Sequence, residues 1–193
     1  MLTLSARNQV VIGCILGLLM IATRGQHFAS LHSLPGASWA VFFLAGVYLR
    51  NKWALPGFLA LSWGMDFSAY IWGGASSFCI TPAYVFLLPA YSSLWFAGRW
   101  YANRHQFEWR TLFPLVAATL VGAVACELFS SGGFYFFSGR IAEPTFVAFA
   151  AQELKYFPMY SQSLAFYVGM AAVVHALFGL MQGVDHHHNS TAG

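Results

Sequence analysis

The sequence predicts an all-α polytopic membrane protein, a single bundle of six transmembrane helices with both termini in the cytoplasm. Of the 193 residues, 59% are hydrophobic and only 8% are charged, whereas about a quarter of an average soluble domain is charged. So few charges do not cover the surface of a soluble protein of this size, but six apolar segments fit a membrane bundle. The formal charge of +3 fits basic residues at membrane edges and gives no reason to expect a nucleic-acid partner.

The six apolar segments cover about residues 8–24, 35–50, 53–72, 82–102, 111–131 and 159–182. No small-residue cleavage site follows the first segment, so we interpret it as a retained helix and not as a signal peptide. Pro35, Pro56 and Pro114 lie near predicted helix starts, where proline is tolerated. Pro89 lies inside the fourth segment and predicts a kink there.

The C-terminal part predicts two further features. Residues 143–158 (EPTFVAFAAQELKYFP) predict a separate short helix that lies in the membrane interface before the last span. We expect a single transmembrane domain over 1–182 and a disordered tail over 183–193, because the tail is polar. The tail contains a histidine run at 186–188, which is either native or an added tag.

The positions of lysine and arginine predict the orientation. If the N-terminus is inside, six basic residues fall on the inner side and three on the outer side. Cytoplasmic segments carry the excess of basic residues, so this bias predicts cytoplasmic termini. The inner residues are Arg7, Arg50, Lys52, Arg99, Arg104 and Arg110, and the outer ones are Arg24, Arg140 and Lys155.

The chemically unusual residues concentrate in the three outer connectors, RGQHFASLHSLPG, GGASSFCITPAY and SSGGFYFFSGRIAEP. Asp66 and Glu127 lie near the outer ends of the third and fifth segments. Ionisable residues at membrane depth are costly, so they usually face a cavity or a partner. The sequence therefore predicts one outward-facing polar pocket beneath these connectors.

Cys79 is the first candidate for chemistry, because it lies in a polar connector (SSFCITP) while Cys14 and Cys126 lie in apolar runs. The three cysteines form neither a CxxC pair nor a disulfide framework, so a tetrahedral zinc site is not indicated. A thiolate near serine hydroxyls and connector N–H groups would bind a soft metal or act as a nucleophile. The alternative is a small apolar side chain that packs against the bundle.

Four further residues are candidates for the pocket. Asp66, in WGMDFSAYIW, has aromatic neighbours and would accept hydrogen bonds from a large ligand, or it bonds to a neighbouring helix. Tyr84 would reach the same cavity with its hydroxyl. His27 lines the pocket or lies in the interface, and Arg140 presents donors to a ligand or pairs with Glu143.

Other features carry less specific signals. Gly13 and Gly17 form a small-residue face on the first helix, which serves internal packing or docking onto a partner. The chain has no Walker A motif, so it does not hydrolyse ATP itself, and the absence of HExxH and GxSxG motifs argues against familiar zinc or serine intramembrane proteases. A pocket open to one side without its own energy source predicts a binding subunit that needs a motor. We interpret three other polar residues as structural: Glu127, Lys155 and His175.

The stretch WGMDFSAYIWGGASSFCITPAY resembles the BtuM group, the solitary S components of energy-coupling factor (ECF) transporters for cobalamin, through Asp66, Cys79 and Tyr84. Chain length and predicted topology are similar to those of S components throughout. The resemblance implies a multi-pass protein of the bacterial cytoplasmic (inner) membrane with the ECF S-component fold. It implies cobalamin as the ligand, with the Cys79 thiolate on its cobalt and with Asp66, Tyr84, His27 and Arg140 as further contacts.

The resemblance also implies a partner, an ECF coupling module of one transmembrane subunit and two ATPases, which would dock on the first helix near Gly13 and Gly17. Thiolate ligation can drive the loss of cyanide from cyanocobalamin, so a Cys79-dependent enzymatic activity beside transport stays open. Two alternatives remain: an S component for another vitamin, in which Cys79 is incidental, and a membrane thiol enzyme that uses Cys79 as nucleophile with His27 or His32 as base. A purely structural membrane scaffold is the least specific alternative.

Overall fold

The computed structural model describes residues 4–24, 36–72, 81–106 and 108–190, with side chains up to Gly179. The described residues form six α-helices and no β-strand, so the predicted all-helical fold is confirmed. The predicted site residues Cys79, His27 and His32 lie outside the described residues. The helices are α1 (Ala6–Arg24), α2 (Ser38–Tyr48), α3 (Ala54–Trp72), α4 (Leu87–Arg104), α5 (Leu112–Phe137) and α6 (Phe146–Ser190), and short 3₁₀ helices over Pro82–Phe86 and Trp109–Thr111 precede α4 and α5.

Helix α2 is the centre of the bundle. Its 11 residues are mostly apolar, and every residue from Ala40 to Val47 is buried. At 1.5 Å per residue it is roughly 16 Å long, about half the thickness of a bilayer core. A helix that is apolar on all sides is stable where other helices cover it, and α1, α3, α4 and α6 pack around it.

The close crossing of α2 and α4 depends on two glycines. A Cβ atom on Gly46 would overlap the carbonyl oxygen of Trp95, and one on Gly98 would overlap the carbonyl oxygen of Phe43. Main-chain atoms of the two helices therefore touch directly, as small residues allow in membrane bundles.

The small-residue face that the sequence suggested on α1 packs less tightly. A Cβ on Gly13 would lie 3.7 Å from the Leu49 side chain, and one on Gly17 would lie 3.9 Å from that of Leu61. Both distances are ordinary van der Waals contacts, so these glycines face residues of this chain. The outward side of α1 instead carries apolar side chains such as Ile15 and Leu18, which are 57% and 66% exposed.

Two predictions about proline-containing segments are wrong. The fourth segment begins as the 3₁₀ helix Pro82–Phe86 and becomes α4 at Leu87, so Pro89 lies in the first turn and not at an internal kink. The N–H groups in the first turn of an α-helix have no partner within the helix. A proline at such a position therefore removes no helical hydrogen bond. The predicted separate helix over 143–158 is absent, since α6 is continuous from Phe146 to Ser190 with Pro158 inside it.

Helix α6 also extends beyond the predicted end of the last span at residue 182. It contains 45 residues and ends at Ser190, which corresponds to roughly 67 Å. The disorder predicted for 183–193 remains a prediction, and residues 191–193 lie outside the described part.

Within the described residues, three helical stretches are long and apolar enough to cross a membrane: Ala6–Arg24, Trp109–Phe137 and Phe146–Gly179. Large apolar side chains on them are open to the surroundings; Val121 and Phe178, for example, are 68% and 63% exposed. Such helices are typical of a membrane protein. The number of six spans and the cytoplasmic termini remain predictions.

Candidate functional site

A polar cluster joins α1, α2, α3 and α4 at one end of the bundle. Arg24 donates from Nε to Oδ1 of Asp66 at 2.7 Å and from Nη2 to Oδ2 at 2.6 Å. Its Nη1 donates to Ser38 Oγ at 2.9 Å and to the Tyr91 hydroxyl at 3.0 Å. The side chains of Arg24 and Asp66 are only 14% and 29% exposed. This two-pronged contact is the strongest form of the arginine–carboxylate pair.

Tyr84 completes the cluster from the short helix before α4. Its hydroxyl donates a hydrogen bond to Oδ2 of Asp66, and its main-chain N–H donates to the carbonyl oxygen of Thr81 at 2.9 Å. The structure thus brings together Asp66 and Tyr84, which the sequence analysis assigned to one cavity. Their role in ligand binding remains a prediction.

The same cluster holds the end of α1 close to the start of α2. The Ala37 N–H donates to Thr23 Oγ1 at 3.2 Å, next to the bond between Arg24 and Ser38. The end of α1 and the start of α2 are therefore fixed to each other at this end of the bundle.

Aromatic rings surround the cluster, and two polar atoms beside it lack partners. The Tyr91 ring stacks on Phe42 at 4.4 Å, and the Trp63 ring lies 6.1 Å from that of Tyr84. Within the part of the chain that the structure describes, Trp63 Nε1 and Thr81 Oγ1 are buried and have no hydrogen-bond partner. A buried polar group without a partner costs about 1–3 kcal/mol, so a ligand or water that supplies one would be favoured.

Sequence reasoning missed Arg24, which it counted only as a basic residue on the outer side. The available signal was its position at the end of an apolar segment, on the same predicted side as Asp66. Charged residues in a membrane usually pair with each other, so the two were candidates for a contact.

Arg140 lies in the loop that follows α5. Its main-chain N–H donates to Ser138 Oγ at 3.2 Å, and its side chain is exposed. Phe137 stacks on Phe86 at 5.1 Å, so this loop begins near the short helix that carries Tyr84. None of the hydrogen bonds of Asp66 described above involves Arg140.

A second polar cluster links α5 and α6. Glu127 is only 3% exposed and accepts a hydrogen bond from Ser131 Oγ at 2.7 Å. Its carboxyl group lies beside that of Glu153 on α6, and both line a cavity of about 320 Å³ together with Tyr156 and Tyr160. The sequence analysis interpreted Glu127 as structural, and it missed Glu153, its neighbour on α6.

Glu153→Gln is expected to raise the free energy of unfolding by about 1 kcal/mol at pH 8, because two adjacent carboxylates repel each other. Glutamine keeps the hydrogen-bonding capacity and removes one charge. Thermal unfolding of the purified protein in detergent measures the effect. Glu108→Gln is the matched control, since Glu108 is an exposed residue of a connector, and a loss of stability in Glu153→Gln would contradict the prediction.

An apolar cavity of about 250 Å³ lies at the opposite end of the bundle from Asp66, and His105 and His175 are part of its lining. The two imidazole rings meet edge to face at 5.1 Å, and His175 also lies 6.1 Å from Tyr48. Burial and the nearby His175 lower the pKa of His105. These contacts fit the packing role predicted for His175, and neither Asp66 nor Tyr84 lines this cavity.

Comparisons of the sequence with protein-family models and with curated proteins find no match.

Proposed function

We propose that this chain is the substrate-binding component of an ECF-type transporter for cobalamin, with the Cys79 thiolate as an axial ligand of the corrinoid cobalt. The observation that carries the proposal is the hydrogen bond between Tyr84 and Asp66. These residues precede and follow Cys79 in the sequence, so the connector that contains Cys79 starts and ends near this polar cluster. A carboxylate and a phenol from the two sides of the cysteine-bearing connector therefore meet at one end of the bundle.

The chemistry of the cluster suits a corrinoid. Cobalt in a corrin has open axial positions, and a thiolate is a strong, soft donor for such a metal. The corrin rim carries amide groups, which would donate to Asp66 and accept from donors such as Trp63 Nε1, which has no partner among the described residues. The apolar faces of the macrocycle would pack on nearby aromatic rings, and His27 and Arg140 are further proposed contacts.

Transport requires an energy source, and this sequence has no Walker A motif with which to hydrolyse ATP. We propose an ECF coupling module with two ATPases as the partner, in the bacterial cytoplasmic membrane. Because Gly13 and Gly17 face Leu49 and Leu61 of this chain, docking near them would use the outward side of α1, where Ile15 is 57% exposed.

The proposal is tested by the visible absorption spectrum of the purified protein after incubation with cobalamin and removal of the excess. We expect the wild-type protein to retain a corrinoid with a thiolate-shifted spectrum, and Cys79→Ala to lose the corrinoid or the shift. Cys14→Ala is the matched control, because Cys14 is an exposed cysteine of α1, and it should behave as the wild type.

Each other outcome excludes a part of the proposal. If both proteins retain the corrinoid with identical spectra, cobalamin is the ligand but Cys79 does not bind the cobalt. If neither retains it, the cobalamin proposal is overturned, and other vitamins and thiol-enzyme activity are tested next.

The same samples test the removal of cyanide. In this ligand exchange the Sγ–Co bond forms as the Co–CN bond breaks, and cyanide leaves with its electron pair, so cobalt is neither oxidised nor reduced. Free cyanide should appear with wild-type protein and cyanocobalamin, and none above background with Cys79→Ala.

A further inference from the structure

We infer that Arg24 is a positioning residue for ligand binding, which holds the Asp66 carboxylate so that one acceptor position stays open to an N–H or O–H donor of the ligand. The identity of the ligand rests on the proposed function. The geometry rests on contacts among described residues only.

The acceptor positions of Asp66 are nearly all in use. A carboxylate offers about four of them, and Asp66 receives three hydrogen bonds, from Arg24 Nε, Arg24 Nη2 and the Tyr84 hydroxyl. Two of these bonds end on Oδ2 and one on Oδ1, so the position that no described residue occupies is on Oδ1. With 29% of its side chain exposed, Asp66 can accept one more donor without losing Arg24.

Arg24, by contrast, has little capacity left for a ligand. A guanidinium group has five N–H donors, and four hydrogen bonds of Arg24 connect it to Asp66 on α3, Ser38 on α2 and Tyr91 on α4. It is also less exposed than Asp66, at 14%. Contact with a ligand would require Arg24 to break bonds to other helices, so it acts on the ligand through Asp66.

This arrangement depends on the shape of the guanidinium group as well as on its charge. Lysine carries the same charge at one point and cannot make parallel bonds to both carboxylate oxygens. We therefore expect Arg24→Lys to lose ligand affinity about as much as Arg24→Met does. Full recovery by lysine would show that charge alone is required, and it would overturn the positioning role.

The test is a double-mutant cycle of corrinoid affinity with Arg24→Met, Asp66→Asn and the double variant. Each single variant is expected to weaken binding about tenfold, the size of one hydrogen bond to a charged group. If Arg24 acts through Asp66, the double variant is also weakened only about tenfold. A loss of about a hundredfold would mean that Arg24 contacts the ligand independently, and it would overturn the inference.

The spectrum of the bound corrinoid separates positioning from general damage to the site. The Arg24 variants should keep the spectrum of the wild-type complex, because the ligand of the cobalt is unchanged. Arg99→Met is the matched control at the other end of the bundle, where Arg99 donates to the Leu49 carbonyl oxygen, and it should keep wild-type affinity.

A second measurement decides the inference even if the wild type binds no corrinoid. In hydrogen exchange, Arg24→Met should speed the exchange of amides in Pro82–Phe86 about tenfold, because Asp66 then holds Tyr84 less firmly, whereas Arg99→Met should leave these rates unchanged. Unchanged rates in Arg24→Met would overturn the inference. If only the proposed function is wrong, the wild-type protein retains no corrinoid, while Arg24→Met still speeds amide exchange in Pro82–Phe86.

Discussion

Gly46→Ala and Gly98→Ala are each expected to lower the free energy of unfolding by about 3 kcal/mol or more. In both variants the new methyl group would overlap a main-chain carbonyl oxygen of the facing helix, Trp95 in one case and Phe43 in the other. Overpacking of a tight contact costs about 1–3 kcal/mol and sometimes more. The higher figure applies here, because a main-chain atom of a packed helix cannot turn away as a side chain can.

Chemical denaturation of the purified variants in detergent measures this loss. Gly57→Ala and Gly64→Ala are matched controls, because apart from the neighbouring backbone of its own helix no described atom lies within 4 Å of a Cβ atom added at either position. Alanine is favoured over glycine in a helix by about 1 kcal/mol, so these controls should be as stable as the wild type or slightly more stable. If Gly46→Ala behaves like them, α2 and α4 are not in direct main-chain contact.

Asp66→Ala is expected to lower the free energy of unfolding by about 3 kcal/mol, because it leaves the Arg24 guanidinium without its main partner in a largely buried place. The loss should be close to that of Arg24→Met, which leaves the carboxylate unpaired. Tyr84→Phe removes one hydrogen bond to Asp66 and should cost less, about 1–3 kcal/mol.

The double variant Arg24→Met, Asp66→Leu distinguishes an ion pair from two independent contributions. Apolar side chains of similar volume often replace a buried ion pair at little cost, so the double variant should recover most of the loss in stability. Losses that simply add up in the double variant would contradict the pairing. The recovered protein should still bind ligand poorly, since it lacks the acceptor that Asp66 provides.

The sequence determined the helical class and the approximate positions of α1 to α5, but not the bounds of α6. Composition and long apolar segments are properties of consecutive residues, and they predicted α1, α3 and α5 to within about six residues at each end. The sequence also suggested that Asp66 and Tyr84 share a site, because both flank one connector.

Only the tertiary structure decided which residues meet. The sequence analysis selected Gly13 and Gly17 by their spacing, but the direct helix contact uses Gly46 and Gly98, because close approach depends on how two helices cross. It likewise counted Arg24 only as a basic residue of its own segment and did not single out Glu153. Their partners Asp66 and Glu127 come from other helices, and such pairing is a property of packing in space that the local sequence does not contain.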